Sequence, residues 1–374
     1  MPDQLDTINI MARRYIRQNP KLQDSVFNQD PLNYFLRNSL KEDFSGGSRI
    51  GENFIYGVLP SGGYRKGATL NVAQRKTEQQ LQFDIQTAFA AVTLYQEDFK
   101  VFVRGPLAAA KLVESRVDEG FMAMGANVSI ATYLPGAGTA GYEANLVGLA
   151  ESLNDGTTQS WNGATYPSYG GLTRNLYGRA IISPPLNVGG GELAYSTIDR
   201  QYSDCMYATG EYEPNLMVTT AIGLSMLKTK YQTQQRFQSV DVADVGFKGL
   251  QFNNAKVVAS RYCPGAYATA LADSLGEQDP VIANYLTETT GGLVTEYPKG
   301  NLGSTTANAT ESLWILNARN PFLNYYVSND DTFSGGFRDF IPESNSTRVV
   351  GLVLLAHALT LNPRYHRQIY GFRG

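Results

Sequence analysis

The chain has 374 residues, of which 43% are hydrophobic and 17% charged, which excludes a disordered chain and allows a large buried core. Its net charge of −3 excludes the basic excess of a dedicated nucleic-acid-binding protein. Its two cysteines, Cys205 and Cys263, exclude a disulfide framework and a cysteine-based metal cluster, and they fit a reducing cytosol.

The first fifty residues are predicted to form an arm. Two short segments with helical apolar spacing, residues 5–16 and 31–40, are separated by a polar stretch that contains Pro20. The N-terminus lacks the long apolar core of a signal peptide. Because the arm has little continuous apolar surface, we expect it to gain order only by lying on another copy of the chain.

An extended hairpin is predicted over residues 51–103. Leu81, Phe83 and Ile85 alternate with polar residues, as in a half-buried strand, and "SGGYRKG" (61–67) predicts a turn. Long hairpins far from a core are marginal in isolation. We therefore expect this one, like the arm, to lie across a neighbouring copy.

The clearest predicted helix starts near Pro106, where a missing N–H costs little. Its apolar residues recur every three or four positions and form one stripe: Leu107, Ala110, Val113, Val117, Phe121, Met124 and Val128. The helix is expected to continue to about Tyr133 and to stop at Pro135-Gly136.

Shorter elements are predicted in the second half. A helix over 142–153 is expected to end at the Asn154–Gly156 turn. A second helix is expected over 196–209, with Ser196 as its N-cap and Gly210 just past its end. The segment 215–231 predicts a strand followed by a helix capped by Thr219 or Thr220.

The remaining elements are predicted to be strands. Paired strands are expected around Asn253-Asn254 and another strand over 312–318, followed by alternating strands and loops. The longest apolar run, "VVGLVLLAHALTL" (349–361), is too short to span a bilayer, so it is predicted to be a buried strand.

The stretch "PGAGTAG" (135–141) matches the G-x-G-x-x-G pattern of dinucleotide-binding loops at Gly136, Gly138 and Gly141. Such a loop needs a preceding strand and an acidic residue about twenty positions further on, and Asp155 stands near that distance. However, a helix is predicted before the glycines and Pro135 directly precedes them. We therefore favour a bend and keep the cofactor loop as an alternative.

Two histidines are the remaining chemical candidates. His357 lies in an apolar run and is predicted to be a core residue, whereas His366, between Tyr365 and Arg367, is predicted at a surface or interface. Because no cysteine or carboxylate cluster accompanies them, no metal site is expected. The aromatic segment 161–178 lacks a basic groove and is expected to pack internally instead of stacking on bases.

Several stretches occur in an order that resembles the major capsid proteins of tailed double-stranded DNA bacteriophages, the family with the HK97 fold. "GLAESLNDGT" (148–157) precedes "YGGLTRN" (169–175). "PNLMVTTAIGLSMLK" (214–228) precedes "GLQFNNAKVVASRYCP" (249–264). The chain closes with "NPRYHRQIYGF" (362–372).

This resemblance implies an α+β, HK97-like capsid fold with five parts. The implied parts are an N-terminal arm (1–50), an extended hairpin called the E-loop (51–103), a peripheral domain with a spine helix (104–134), an axial domain (135–320) and return strands of the peripheral domain (321–374).

It also implies a function. The chain is expected to be a major capsid protein, not an enzyme, that assembles as hexamers and pentamers into an icosahedral phage head. It would contact the packaged double-stranded DNA without sequence specificity, reside in the virion and assemble in the host cytoplasm, with no cofactor, metal or membrane. Portal and decoration proteins are further expected partners. A separate scaffolding protein is also expected, because no long charged N-terminal segment precedes the arm.

Within the hairpin, four basic residues are the candidate assembly contacts: Arg65, Lys66, Arg75 and Lys76. Some family members cross-link a hairpin lysine to a neighbour, but no motif identifies a partner here, so we expect solvated lysines. Gly46-Gly47 and Gly62-Gly63 are predicted hinges. Two alternatives stay open: an encapsulin-like cellular shell protein, and a dinucleotide-dependent enzyme that uses 136–141.

Overall fold

The computed structural model describes residues 2–19, 30–67, 69, 74–95, 106–136, 145–210, 212–232, 239–242, 247–265, 310–330, 334–342 and 348–373. The α-helices in these ranges are α1 (Pro2–Gln18), α2 (Pro31–Leu40), α3 (Pro106–Tyr133), α4 (Leu149–Ser152), α5 (Tyr195–Thr209) and α6 (Ala221–Gln232).

The first strands in chain order are β1 (Lys41–Phe44), β2 (Arg49–Ile55), β3 (Glu78–Asp84), β4 (Gln86–Tyr95), β5 (Ser168–Tyr169), β6 (Leu172–Thr173), β7 (Leu186–Asn187) and β8 (Leu216–Thr219). The later strands are β9 (Ser239–Val242), β10 (Phe247–Phe252), β11 (Ala255–Ala259), β12 (Glu311–Leu316), β13 (Leu323–Ser328), β14 (Ser334–Pro342), β15 (Arg348–Leu361) and β16 (Arg367–Phe372).

Two large sheets organise the chain. The five-stranded sheet has the order β1-β13-β15-β14, and β4 also pairs with β15. The seven-stranded sheet has the order β7-β16-β12-β8-β11-β10-β9. The first sheet is built around the 14-residue strand β15, which confirms the predicted buried strand at 349–361. No helix within the described ranges has the length and apolar character needed to cross a bilayer.

The long helix α3 packs on the five-stranded sheet and has the predicted bounds. The stripe from Val113 to Val128 is buried, and Val113, Val117 and Phe121 have no exposed surface. Gly120 faces β4, where an added Cβ would overlap Cγ2 of Val92. The absence of a side chain at this position therefore permits the close approach between helix and sheet.

The arm packs on its own chain, so the expectation that it needs another copy is wrong for its described residues. Ala12 of α1 is fully buried, and Tyr15 donates hydrogen bonds of 2.8 and 2.9 Å to the Asp118 carboxylate of α3. Leu32 and Leu36 of α2 join the main core. The apolar spacing of each arm segment places one face against the body, which supplies a matching surface.

The hairpin is shorter than predicted. Strand β2 pairs antiparallel with β3, from Arg49 opposite Asp84 to Ile55 opposite Glu78, and we call residues 49–84 the hairpin. Strand β4 instead pairs along β15 over ten positions. Its alternating inner residues include Val92 and Leu94, which are buried in the main core. Burial of that face therefore draws 86–95 into the five-stranded sheet.

Two further expectations about elements are wrong. The helix predicted at 142–153 is reduced to the single turn α4, and residues 137–144 lie outside the described ranges. Strand β16, expected among the return strands of the first sheet, pairs with β12 and β7 in the second. Its consecutive residues Ile369 and Tyr370 point to opposite faces and are buried in two different clusters, so both faces of β16 are covered.

The other predictions for the seven-stranded sheet and its neighbouring helices agree better with the structure than those for 142–153 and β16. Thr220 caps α6, since its Oγ1 accepts a 2.9 Å hydrogen bond from the Gly223 N–H. Strands β10 and β11 pair around Asn253, whose φ of 49° suits a tight turn. Helix α5 begins one residue before Ser196 and its N-cap is Ala194, while Gly210 follows its end as predicted.

Candidate assembly surface

The distal half of the hairpin carries all four predicted assembly residues. Arg65, Lys66, Arg75 and Lys76 lie in the segment that connects β2 to β3, and all are exposed. No ion pair between described residues involves them. The predicted basic cluster therefore lies beyond the paired strands, where these side chains are available to another molecule.

Exposed apolar side chains accompany these cations. Val58 is 81% exposed and Leu59 is 65% exposed, and Ile55 and Tyr64 are similarly exposed. Scattered exposed apolar residues are normal on a monomer, whereas several that are close together on one segment are typical of an interaction site. The hairpin end thus combines apolar contact area with positive charge.

A second exposed apolar surface lies on the outer face of the five-stranded sheet. Phe89, Tyr95 and Ile341 are about half exposed there. The strand register places them on one face, because Ile341 lies opposite Val350 and Val350 lies opposite Thr93, which shares its face with Phe89 and Tyr95. This is the face turned away from α3, whose Gly120 meets the opposite face at Val92.

The proximal part of the hairpin contacts its own body. Phe54, Leu81 and Phe83 form a buried cluster with Tyr169 and Ile181. The Phe83 and Tyr169 rings are 5.2 Å apart in an edge-to-face arrangement. The expectation that the hairpin gains order only across a copy of the chain is therefore wrong for these residues.

One backbone hydrogen bond also joins the hairpin to the body. The Gln82 N–H donates to the Gly170 carbonyl at 3.0 Å. Gly170 has φ +54°, and a Cβ there would lie 2.9 Å from the Leu81 side chain. A side chain at position 170 would be strained and would push the hairpin away.

Arg174 organises the segment on which the hairpin rests. Its guanidinium is fully buried and donates to the carbonyls of Tyr166, Ile181 and Glu151 at 2.9, 2.5 and 2.5 Å. It also lies 4.9 Å from the centre of the Tyr169 ring. Burial lowers the pKa of Arg174 to about 10, so the group stays charged at neutral pH.

The glycine motif is not preceded by the strand that a dinucleotide site requires. Helix α3 leads into it and ends at Tyr133, and residues 137–144 lie outside the described ranges. A Cβ on Gly136 would lie 2.6 Å from the Val147 backbone. Asp155 accepts hydrogen bonds from the Thr157 and Thr158 N–H groups. The helix before Gly136 therefore argues against a dinucleotide loop, and Asp155 has a turn role. The bend at Gly138 and Gly141 lies outside the described residues and stays a prediction.

One histidine expectation is confirmed and the other is wrong. His357 is buried, its Nδ1 lies 2.9 Å from the Tyr325 hydroxyl, and burial lowers its pKa to about 4. His366 is also fully buried: its Nδ1 accepts from the Asn317 N–H at 3.1 Å and its Nε2 lies 3.0 Å from the Phe322 carbonyl. Its apolar surroundings lower its pKa to about 3.

The cysteines and acidic residues offer no evident reactive cluster. Cys205 and Cys263 are buried thiols that form no disulfide, and burial raises the pKa of both, that of Cys205 to about 12. In the described parts of the chain, no group of three or more His, Cys, Asp or Glu side chains is arranged to hold a metal ion.

The glycine pairs predicted as hinges flank or cap the hairpin. Gly46 and Gly47 have φ values of +144° and +105°, which other residues rarely adopt. They directly precede β2. Gly62 and Gly63 lie in the exposed connecting segment, where a Cβ added to either glycine would meet no described atom within 4 Å. Movement at either pair stays a prediction.

Sequence reasoning missed two polar groups near the hairpin, the half-buried Glu52 and the fully buried Arg174. Glu52 stands between Ile50 and Phe54 on the inward face of β2, so a charged residue interrupts an apolar alternation. That break in pattern is a detectable sign of a specific partner. Arg174 follows "YGGLT" without any periodicity, and its burial could not be read from its neighbours.

Comparisons with known proteins establish the fold through solved structures alone. No protein-family model matches the chain, and no curated protein matches it. The capsid asymmetric unit of cyanophage A-1(L) matches with a TM-score of 0.57 and 14% identity, covering 91% of this chain and 92% of that one.

Two further matches are to the holo-SrpI encapsulin complex of Synechococcus elongatus PCC 7942 and to Mycobacterium phage Ogopogo. The encapsulin has a TM-score of 0.49 and 7% identity, over 91% of this chain and 87% of that one. The Ogopogo protein has a TM-score of 0.46 and 9% identity, over 91% of both chains. From the A-1(L) match we conclude that this chain has the HK97-like capsid fold.

Proposed function

We propose that the chain is a major capsid protein, which self-assembles into hexamers and pentamers of an icosahedral head enclosing double-stranded DNA. The observation that carries the proposal is the match to the A-1(L) capsid over 91% of this chain and 92% of that one. A likeness that covers nine-tenths of both chains favours a shared mode of assembly over a shared core alone.

The exposed surfaces support self-association. The hairpin end presents Val58 and Leu59 beside four cations, and the outer face of the five-stranded sheet presents Phe89, Tyr95 and Ile341. When a neighbouring copy covers such an apolar residue, the contact between subunits would be stabilised by roughly 25 cal/mol per Å² of buried apolar area. The arm gives no evidence for assembly, because its described residues pack on their own chain.

The finer partners belong to the same proposal. We expect Arg65, Lys66, Arg75 and Lys76 to contact acidic side chains of an adjacent subunit, since rim charges orient partners more than they add affinity. A separate scaffolding protein, a portal and a decoration protein would complete the head, which would assemble in the host cytoplasm. Packaged DNA would touch a mildly acidic subunit and therefore bind without tight, specific contacts.

Particle size tests the proposal directly. The full chain, expressed alone and with candidate scaffolding proteins, is examined by negative-stain electron microscopy and sedimentation velocity. We expect closed shells or free capsomers of five and six subunits. A chain that remains a monomer or dimer under all conditions, including crowding agents, would contradict the proposal.

Particle contents separate the proposal from its alternatives. Shells that package double-stranded DNA in a reconstituted system support a phage head, whereas small uniform shells that enclose a co-expressed protein would indicate an encapsulin-like function. Binding of a nicotinamide or flavin dinucleotide by the unassembled chain, measured by calorimetry, would revive the enzyme alternative despite the helix before Gly136.

A further inference from the structure

A single carboxylate joins the hairpin to the five-stranded sheet. Oε1 of Glu52 on β2 accepts hydrogen bonds from the Tyr326 hydroxyl at 2.5 Å, the Thr360 hydroxyl at 3.3 Å and the Asn324 amide at 3.4 Å. Asn324 and Thr360 lie directly opposite each other on β13 and β15. The three donors therefore converge from one face of two neighbouring strands.

The surroundings of the Glu52 carboxylate exclude part of its water, so the carboxylate would destabilise the folded chain without hydrogen bonds from the protein. Glu52 is half-buried, Asn324 and Thr360 are buried, and Phe54 and Leu81 flank the carboxylate on the inward face of the hairpin. A charged group that leaves water regains its lost solvation only through such hydrogen bonds. If the hairpin tilted away from the sheet, all three hydrogen bonds to the carboxylate would break at the same time.

The Tyr326 hydroxyl is held as a donor. Burial raises the pKa of Tyr326, and the carboxylates of Glu52 and of Glu42 on β1 raise it further. Glu42 itself accepts a hydrogen bond from the Asn320 amide at 2.5 Å. The phenol thus stays protonated across the neutral range and contributes a charge-assisted hydrogen bond to Glu52.

The hairpin is otherwise attached through few groups. The Gly46-Gly47 pair precedes it, and Ile85 alone separates its second strand from β4 of the five-stranded sheet. Gln82 donates one backbone hydrogen bond to Gly170, and an apolar cluster around Phe83 and Tyr169 supports its base. Apolar contacts tolerate sliding, whereas three hydrogen bonds to one oxygen define a position. Glu52 is therefore the group best placed to fix the angle of the hairpin.

We propose that Glu52 is a positioning residue that locks the hairpin to the five-stranded sheet, and that release of its hydrogen bonds from Tyr326, Asn324 and Thr360 lets the hairpin swing about its base, where Gly46 and Gly47 precede β2. The inference concerns one chain and does not require that shells form.

The test uses the full chain carrying Glu52→Ala and measures hydrogen exchange at the Gln82 amide, whose partner is on the body. Loss of a charge-assisted hydrogen bond network should raise opening there, and exchange, by roughly ten- to a hundredfold. Amides that pair β2 with β3 should exchange as in the wild type, because the hairpin itself stays formed. Glu52→Gln, which keeps one acceptor oxygen, should give an intermediate rate.

Asp84→Asn is the matched control. Asp84 is another hairpin carboxylate, but it is exposed and pairs with Arg49 on the hairpin itself at 2.6 Å. We expect no change at Gln82 in this variant. Equal acceleration in Asp84→Asn and Glu52→Ala, or no acceleration in Glu52→Ala, would overturn the proposal.

A second measurement tests the proposal without Glu52→Ala, in case that variant folds poorly. Nitroxide labels at Lys66→Cys and Met122→Cys report the distance from the hairpin end to α3, since both native cysteines are buried. Labelled chain is diluted in an excess of unlabelled chain, so only distances within one chain contribute. Tyr326→Phe should broaden the distance distribution, and adding Glu52→Gln to it should broaden it little further. An unchanged distribution in Tyr326→Phe would count against the lock.

Discussion

Asp30 is a buried carboxylate whose ionisation should weaken the folded state. It caps α2 by accepting hydrogen bonds from the Leu32 and Asn33 N–H groups, and Ser260 donates to its other oxygen. Burial, despite these bonds, raises the pKa of Asp30 to about 6. The folded chain therefore holds a proton that the unfolded chain loses near pH 4. Stability from this group is present below about pH 4 and is lost as the pH rises through about 6.

The variant Asp30→Asn should remove this dependence, because asparagine caps helices about as well as aspartate and never ionises. Relative to wild type, its free energy of unfolding should improve by about 2 kcal/mol between pH 4.5 and pH 7.5. Urea unfolding at several pH values measures the difference. Asp30→Ala should lose the cap at every pH. A pH-independent difference between Asp30→Asn and wild type would show that the carboxylate is ionised when folded.

Local sequence did not reveal the environment of single polar residues. His357 was predicted correctly because its run is apolar on both sides, whereas His366 is flanked by Tyr365 and Arg367 and yet is fully buried. His366 can be buried because backbone groups of Asn317 and Phe322, which are far away in sequence, form hydrogen bonds with both of its ring nitrogens. Such partners come from tertiary structure, so no pattern around residue 366 could have indicated them.

At the scale of elements, periodicity predicted most of what is regular. The bounds of α3, the strand β15 and the cap of α6 follow from apolar spacing, proline and threonine. The helix expected at 142–153 is wrong for its described residues: Leu146 is buried in irregular backbone, and only Leu149–Ser152 form a helical turn. Hydrophobic spacing indicates burial more firmly than it indicates backbone conformation.

Gly120 provides a test of how closely α3 approaches the sheet. In Gly120→Ala, the new methyl would overlap Cγ2 of Val92. We expect a loss of about 1–3 kcal/mol of stability from overpacking, which exceeds the gain of about 1 kcal/mol that alanine brings to a helix. Thermal and urea unfolding measure the change.

Shortening the neighbour should reverse the effect of the alanine. In a Val92→Ala background the added methyl fills the space that the valine vacates, so Gly120→Ala should be neutral or stabilising there. If Gly120→Ala lowers stability equally in both backgrounds, the contact with Val92 is not the cause.

For the molecule as a whole, sequence order predicted the fold better than it predicted which surfaces are free. The ordered motifs led to the HK97-like fold, but the arm was assigned to a neighbour when its own body covers it. Ala12, Leu32 and Leu36 are buried within the chain, and a sequence cannot tell an apolar face that meets its own body from one that meets a copy. Several exposed apolar residues lie at the hairpin end and on the outer sheet face, although Ile10 of the arm is exposed as well.

Assembly should therefore depend on the hairpin end. We expect Val58→Asp combined with Leu59→Asp to keep the thermal midpoint of the isolated subunit, because both side chains are exposed, while shifting sedimentation from particles towards free subunits. Burying two carboxylates in an interface would carry a desolvation penalty of several kcal/mol. Leu176→Asp, at a position 74% exposed beside the hairpin base, is the control for adding charge at an exposed leucine. Particles that form normally from the Val58 and Leu59 double variant would exclude the hairpin end as a contact between subunits.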